Sequence, residues 1–394
     1  MEIAELKAEI SGYIDAHYPQ LSEISLKIHS NPELGYHEVK AAGWLTQYLE
    51  EQGFSIKRGI CNMSTAFKAR YGKGKPVIAL LAEYDALPDI GHACGHNLIA
   101  TCTLGAGIAS KPAIDQFGGS ILVIGTPAEE VPGGGGKAIM ANVGAFNGID
   151  AAMIVHPGTQ DIATMQALAC IGLEVEFIGK AAHAASRPEA GINALEAMLQ
   201  SFTAINSLRQ HIRSSARIHG IITDGGEAPN IVPAHSSGIF MVRADDIVYL
   251  EELKQKVLHC FIAASTATGA ELKYKWDEVL YAPMRNNIPL AELYIQNMKS
   301  LGRSVVLTDP DINYGSTDMG NVSQVVPSIH PHVQITEDDI SIHSTEFALA
   351  AASEAGTRAM LDAAKAVAMT IVDLLASPEI LVKVKKEFVN PEKE

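Results

Sequence analysis

Apolar side chains recur at helical spacing through the N-terminal part of the chain. Segments 3–14, 21–28 and 39–49 carry this pattern, and Gly53 follows the third. The link between the second and third segments, residues 29–38, is rich in turn formers, and its Asn31-Pro32 pair indicates a helix boundary. The acidic side chains of this link are candidates to support a nearby site.

Short, continuous apolar runs follow at residues 77–81, 120–125 and 151–155. Each run is bounded by turn-forming residues, which is the pattern of strands buried on both faces of a sheet. Residues 97–109 are rich in alanine, glycine and leucine and predict a tightly packed helix after the first run. We therefore expect an α/β domain with a mostly parallel sheet.

The pattern changes after Cys170, where apolar and polar residues begin to alternate. Predicted strands and helices then follow one another in the order β-α-β-β-α-β, which is that of a ferredoxin-like module. The segments are 172–179 (strand), 192–212 (helix), 216–223 and 236–244 (strands), 248–264 (helix) and 271–277 (strand). A small domain inserted into the α/β domain is therefore predicted.

Residues 281–289 predict a linker that leads back to the first domain. The α/β pattern resumes with apolar runs at 304–307 and 325–335, and a long helix is expected over 344–375, before a charged tail. We accordingly divide the chain into a catalytic domain made of residues 1–170 and 285–394, with the inserted domain at 171–284 between them.

Composition narrows the class of protein. Hydrophobic residues make up 47% of the 394 residues, as in an ordinary globular protein with a substantial core. The formal charge of −15 argues against nucleic acid and anionic membranes as partners. The N-terminal sequence shows neither a signal peptide nor a membrane span. The 5 cysteines form no CxxC pair, so we expect reduced thiols and a cytoplasmic location.

Polar side chains with the chemistry of metal ligands follow each of the three apolar runs. Glu83 and Asp85 come after the first run and lead into a glycine-rich stretch with His92, Cys94 and His96; Glu129 and Glu130 follow the second run, and His156 follows the third. Ligands of open α/β sheets lie beyond the carboxyl ends of the strands. A glycine-rich turn with a buried cysteine and surface histidines is the alternative for the first motif, and an acidic solvated loop is the alternative for the second.

These side chains suit a catalytic transition metal. Cys94, His96, Glu130 and His156 offer sulfur, nitrogen and oxygen ligands. A metal lowers the pKa of bound water to about 7, and a free carboxylate beside a ligating one can take its proton. Glu129 fits that second role. Asp85 could bridge metals or orient an imidazole, with a turn cap as the alternative. The run GGGGK is not a phosphate-binding loop, because no Ser or Thr follows Lys137.

Several motifs in order give the chain a resemblance to a known family. HACGHN, GTPAEE, IVHPG, GKAAHAA, GINAL, GGEAPNIVP and GSTDMGN resemble the metal-dependent amidohydrolase branch of the aminoacylase/carboxypeptidase metallopeptidases. That branch includes hippurate hydrolases, indoleacetyl-amino-acid hydrolases and aminobenzoyl-glutamate hydrolase. Asn97, where many members carry Asp, and the stretch after Gly315 look most like the β-alanyl-lysine dipeptidase-like subgroup.

The resemblance implies a catalytic domain interrupted by a lid that also forms a homodimer. One or two divalent ions (zinc, manganese or cobalt) would be held by Cys94, His96, Glu130, His156 and a distal histidine. HSTEFA makes His343 the best match for the distal ligand, with His330 and His332 as competitors. Glu129 matches the family's general acid/base, and Asn97 puts one supporting or bridging role in question.

The same resemblance implies the residues that bind substrate. His183 in the inserted domain would donate to the substrate carbonyl oxygen, in the partner subunit's active site. Asn230 and Arg243 would hold the substrate carboxylate, for which the planar guanidinium is suited. Asp318 would contact the other end of the substrate, or cap a turn.

We therefore expect a metal-dependent hydrolase that cleaves the amide bond of an N-acyl amino acid or a small dipeptide. The alternatives are a deacetylase or deaminating hydrolase on the same scaffold, and a non-catalytic metal-binding dimer. The paired glutamates and the full ligand set favour the enzyme, because an inactive relative would be free to lose them.

Overall fold

The computed structural model describes residues 2–131, 133–308, 315–337 and 339–390. The chain forms two compact units. The first comprises Met1–Gln166, Met284–Tyr314 and Asp318–Glu394, and the second comprises Ala167–Pro283 and Gly315–Thr317. Within the described residues, none of the helices is both long and apolar enough to cross a membrane.

The first unit is built on a six-stranded sheet. Its strands are β1 (Ser55–Arg58), β2 (Phe67–Lys73), β3 (Val77–Ala82), β4 (Gly119–Gly125), β5 (Ala151–Met153) and β11 (Ser328–Ile329), in the order β1-β2-β4-β3-β5-β11. The central strands pair in parallel, β4 with β3, β3 with β5 and β5 with β11, whereas β1 and β2 are antiparallel. The expected mostly parallel sheet is confirmed. A separate parallel pair joins β6 (His156–Gly158) to β12 (His332–Gln334).

Helices surround this sheet. They are α1 (Ile3–Ala16), α2 (Tyr18–His29), α3 (Val39–Glu51), α4 (His96–Ala109), α5 (Lys111–Phe117), α6 (Gly136–Asn142), α9 (Ile288–Ser300), α10 (Met319–Ser323), α11 (Thr345–Ala351), α12 (Glu354–Ala376) and α13 (Pro378–Val389). Helix α4 is buried along its whole length. Its glycines allow that packing: a Cβ atom at Gly107 would lie 2.6 Å from Cγ2 of Val123.

The C-terminal part of this unit differs from the prediction. Residues 304–307 form no strand, and the run 325–335 contains two short strands, because Pro331 cannot donate to a sheet. The single long helix expected over 344–375 is divided between α11 and α12, where Ser353 accepts a hydrogen bond from the amide of Gly356 as an N-cap. Helix α9 begins inside the predicted linker.

The second unit has the predicted β-α-β-β-α-β order. It consists of β7 (Ala169–Ile178), α7 (Ala194–Leu208), β8 (Arg217–Asp224), β9 (His235–Ala244), α8 (Ile247–Thr268) and β10 (Glu271–Trp276). The four strands are antiparallel in the order β10-β7-β9-β8. Alternate residues of β9 face the apolar core that also contains the buried rings of Phe177 and Phe261.

Candidate metal centre and catalytic site

Two buried carboxylates, Glu83 and Asp85, follow the carboxyl end of β3. Asp85 fixes the ring of His96, because Nδ1 of His96 lies 2.9 Å from the backbone oxygen of Asp85 and 3.0 Å from its Oδ1. Both oxygens are acceptors, so Nδ1 carries a proton and the lone pair available to a metal is that of Nε2. Nε2 lies 3.4 Å from Oε2 of Glu83.

His156 is oriented in the same way at the start of β6. Its Nδ1 lies 2.6 Å from the backbone oxygen of Pro157, which leaves Nε2 facing Sγ of Cys94 at 3.2 Å. Cys94 precedes Gly95, whose φ is +74°; a Cβ atom there would lie 2.5 Å from Cγ of Pro157. Glycine therefore allows the loop with Cys94 to approach the strand with His156.

His343 approaches the same place from the loop before α11. Its Nε2 lies 3.2 Å from Oε1 of Glu130, and its amide donates to the oxygen of Ala93. The amide of Glu130 in turn donates to Oδ2 of Asp85 at 2.9 Å. The segments after β3 and β4 are thus connected by a hydrogen bond beyond the carboxyl ends of these strands.

Three groups of side chains bring their ligand atoms within 4.8 Å of one another: Cys94, His96 and His156; Cys94, Glu130 and His343; and His96, Glu129 and Glu130. The five residues expected to hold the metal (Cys94, His96, Glu130, His156 and His343) all lie in these groups, together with Glu129. Cys94 and His96 belong to two groups each, as does Glu130, so the groups form one connected cluster.

The competing histidines, His330 and His332, lie beside this cluster. Both are buried, and their ring centres lie 5.6 Å and 5.1 Å from that of His156. Neither belongs to a ligand group among the residues that the structure describes. Burial lowers the pKa of both rings well below the ordinary value, so they are neutral packing partners of His156.

The charges of the site fit a divalent cation. Burial alone would lower the pKa of His96, but Asp85, Glu83 and Glu130 outweigh burial and raise it to about 10. The same negative surroundings that favour a second proton on His96 favour a metal ion in its place. In the described part of the chain, Nε2 of His96 is buried without a hydrogen bond.

The pKa values of the two adjacent glutamates after β4 are shifted in opposite directions. Removal from water, with Glu83 and Glu130 nearby, raises the pKa of Glu129 well above its ordinary value. Burial alone would raise the pKa of Glu130, but the hydrogen bond from His343 and the charge of His96 outweigh burial and lower it to about 2. Two carboxylates whose pKa values are separated in this way can take different roles in acid–base chemistry.

Lys137, the last residue of GGGGK, is a functional neighbour that the sequence did not indicate. It is fully buried, and its Nζ pairs with Oε1 of Glu83 at 2.7 Å and with Asp318. Its amide also donates to Oδ2 of Asp318 at 2.8 Å. Asp318 is therefore buried with both carboxylate oxygens bonded to Lys137, and at the start of α10 its side chain makes no capping hydrogen bond to any described residue.

Asn97 is buried, and its side-chain amide nitrogen makes two hydrogen bonds. Its Nδ2 donates to Oγ of Ser25 and to the backbone oxygen of Ala351, both at 2.9 Å. An aspartate has no N–H to offer the carbonyl of Ala351. Asparagine at this position therefore serves the packing between α4 and the α11–α12 junction.

In the second unit, His183 and Asn230 lie on neighbouring segments. The backbone of His183 bridges to Ile231, and the amide of Ala184 donates to the oxygen of Asn230 at 3.0 Å. Nδ1 of the exposed His183 accepts hydrogen bonds from the amides of Ala185 and Ser186, at 3.3 Å each. Nδ1 is thus the acceptor, and the ring proton lies on Nε2.

Arg243 lies on β9, on the face of the four-stranded sheet that is opposite the apolar core. Its Nη1 donates to Oγ of Ser316 at 2.9 Å. Arg217 on β8 is its direct cross-strand neighbour, but Nη1 of Arg217 is bonded to the carbonyl oxygens of Ser214 and Ala216. Of these two guanidinium groups, that of Arg243 is the one not tied to the backbone.

Comparison with known proteins identifies the family. Residues 170–265 match the peptidase dimerisation domain of the M20 family. The Xaa-Arg dipeptidase of Mus musculus is 37% identical over 98% of this chain and 93% of its own. One of the subunits of the p-aminobenzoyl-glutamate hydrolase of Escherichia coli K12 is 34% identical over 71% of this chain and 63% of its own.

Solved structures show the same fold. A crystal structure of a putative aminohydrolase from methicillin-resistant Staphylococcus aureus has a TM-score of 0.79 at 20% identity, covering 94% of this chain and 100% of that one. A dinuclear metal-binding peptidase of the M20 family from Bacillus subtilis has a TM-score of 0.71 at 19% identity, covering 92% and 99%. The chain belongs to the M20 family of metal-dependent peptidases and amidohydrolases, in its amidohydrolase branch.

Proposed function

We propose that this M20 enzyme hydrolyses dipeptides, with those that carry a basic C-terminal residue as its best substrates. The observation that carries this proposal is the 37% identity to an Xaa-Arg dipeptidase along nearly the whole of both chains. The human Xaa-Arg dipeptidase is 35% identical over the same share of each chain.

The metal would be held by Cys94, His96, Glu130, His156 and His343, as one or two ions of zinc, manganese or cobalt. A bound divalent ion supplies a Lewis acid and lowers the pKa of water. The fit rests on the convergence of these ligand atoms and on Nε2 of His96, a buried atom that makes no hydrogen bond among the residues that the structure describes. Asp85 acts by holding the ring of His96.

Glu129 is proposed as the general acid/base. Its raised pKa lets it hold a proton taken from water until the leaving amine needs one. His183 donates its Nε2–H to the substrate carbonyl oxygen, where negative charge develops, because its Nδ1 is occupied by backbone amides. Asn230 and Arg243 hold the C-terminal carboxylate of the substrate.

We further propose a cytoplasmic homodimer, which the dimerisation domain and the five free cysteines support. Co-expression of Glu129→Ala and His183→Ala chains tests whether the subunits share active sites. If His183 serves the partner, one site of each mixed dimer has both residues, and random pairing restores about a quarter of wild-type activity. Mixed dimers without activity would show that each subunit acts alone.

The substrate is tested with a matched panel. Purified enzyme, loaded with zinc, manganese or cobalt, is offered dipeptides ending in Arg, Lys, Glu or Leu, together with p-aminobenzoyl-glutamate and N-acetylated amino acids. We expect chelation to abolish hydrolysis and the Arg and Lys dipeptides to give the highest kcat/KM. Preference for an acetyl amino acid would indicate the deacetylase alternative. Bound metal without any hydrolysis would indicate the non-catalytic dimer.

A further inference from the structure

The residue before the catalytic glutamates has an unusual backbone. Ala128 is buried and has a φ of +61°, in the left-handed region that an alanine adopts at a cost and a glycine does not. It directly precedes Glu129 and Glu130. The backbone at Ala128 therefore determines how the chain enters the pair, and a strained residue here needs a partner that holds it.

That partner is Glu38, a buried carboxylate from the link between α2 and α3. Its Oε1 accepts a hydrogen bond from the amide of Ala128 at 2.8 Å, and its Oε2 accepts one from Oγ1 of Thr65, also at 2.8 Å. The backbone oxygen of Thr65 accepts from the hydroxyl of Tyr84 at 2.7 Å. Tyr84 lies between Glu83 and Asp85, so one carboxylate is connected to the chain after β3 and to the chain after β4.

The same link packs directly on Ala128. A Cβ atom at Gly35 would lie 2.9 Å from Cα of Ala128 and 2.3 Å from Cγ2 of Val131. Glycine at this position therefore permits the close approach that Glu38 needs.

We propose that Glu38 is a positioning residue that holds Ala128 in its left-handed conformation and thereby positions Glu129 and Glu130 at the ligand cluster. Glu130 shares one ligand group with Cys94 and His343, and both glutamates share another with His96. The role of Glu129 rests on the function proposed above, whereas the placement of Glu130 as a ligand is testable by metal binding alone.

Substitutions of Glu38 test whether its hydrogen bond to Ala128 matters for kcat and zinc binding. Glu38→Ala should lower kcat at least tenfold with little change in KM, and should weaken zinc binding at least tenfold. Glu38→Gln should stay within about threefold in both, because the amide oxygen accepts from Ala128 and the amide nitrogen can donate to Thr65. Glu33→Ala is the matched control: this carboxylate of the same link binds the amides of Lys40 and Ala41 instead, so kcat should not change.

The decisive test is a double-mutant cycle with Ala128→Gly. Glycine adopts a positive φ without strain, so Glu38→Ala should cost at least threefold less in kcat and in zinc affinity when residue 128 is glycine. Equal losses in both backgrounds would overturn the proposal, since a packing role is indifferent to residue 128. Zinc affinity is measured by competition with a chelating dye. It can therefore be compared between the variants even if the enzyme cleaves no substrate of the panel.

A second route covers the case in which Glu38→Ala does not fold. Gly35→Ala pushes the link away from Ala128 and should lower zinc affinity and kcat at least tenfold, with Gly43→Ala, whose added methyl group meets nothing within 4 Å, as its control. Thermal unfolding is recorded for both. Unchanged zinc affinity and kcat in folded Gly35→Ala would contradict the proposal.

Discussion

The two units present their proposed active-site residues in opposite ways. In the first unit, His96, Asp85 and Lys137 are buried and each is held by a second charged group. In the second unit, the ring of the exposed His183 accepts hydrogen bonds from two backbone amides. A buried cluster depends on its charges for stability as well as for chemistry, whereas an exposed side chain can be replaced without destabilising the fold. Substitutions in the buried cluster of the first unit should therefore lower stability, whereas substitutions of exposed residues in the second unit should not.

The largest effect is expected from Glu129→Gln. Removing a positioned acid/base should lower kcat by about 10²–10⁴-fold, while zinc content stays normal because Glu129 is not one of the proposed ligands. Glu130→Gln is the matched neighbour and should lose zinc, since Glu130 shares a ligand group with Cys94 and His343. Steady-state kinetics and elemental analysis measure the two quantities. Zinc loss in both variants, or in neither, would contradict the division of roles.

Lys137→Met should give the largest change in stability. It leaves Glu83 and Asp318 buried without their cation, and breaking a buried ion pair from one side costs about 3–5 kcal/mol. The control in the second unit is Arg187→Ala, which removes an exposed ion pair with Glu189 and should change the free energy of unfolding by less than about 1 kcal/mol. Urea unfolding of chelated protein measures both. A difference of less than about 1 kcal/mol between them would refute the contrast.

Lys137 also shows where sequence-based prediction ends. A lysine after four glycines is typical of an exposed turn, and its burial depends on Glu83 and Asp318, which are distant in the sequence. The strands β3 and β4 were predictable, because a short apolar run buried on both faces has few other interpretations. Cys94, His96 and Glu130 could be proposed as ligands for the same reason, since they follow those strands, whereas His343 could be proposed only from the resemblance of HSTEFA to the family.

Pairings of half-polar strands were harder to predict. β2 pairs with β4 in an antiparallel manner, yet Phe67–Lys73 contains only a weak apolar pattern. Its place in the sheet depends on a neighbour that lies after α5 in the chain. The proposed role of Glu38 could not be predicted from the sequence either. There, Glu38 is only an acidic residue in a turn-rich link, and it is the fold that brings it to Ala128.

A smaller effect on stability is expected at Asn97, which directly follows His96 in the sequence. Asn97→Ala removes the donor to the carbonyl of Ala351 and should cost about 1–3 kcal/mol of unfolding free energy. Asn97→Asp should cost at least as much, because a carboxylate cannot donate there. Zinc affinity should stay within about twofold of wild type in both variants. A large loss of zinc in Asn97→Ala would assign this residue to the metal site after all.

The smallest effect is the pH dependence that the buried His330 gives to the stability of the first unit. Burial lowers the pKa of His330 well below its ordinary value, so the folded protein keeps this ring neutral while the unfolded chain takes up a proton below about pH 6.5. Its contribution to stability is therefore present above that pH and is lost as the pH falls. Glu129 acts with the opposite sign, because its raised pKa lets the folded state bind a proton first.

A comparison of variants separates the contribution of His330 to the pH dependence of the unfolding free energy from that of Glu129. Between about pH 7.5 and 5.5, chelated His330→Gln protein should lose about 1.4 kcal/mol less unfolding free energy than the wild type, the value of one proton bound over one pH unit. If His330→Gln instead follows the wild-type curve, His330 is not held neutral by burial.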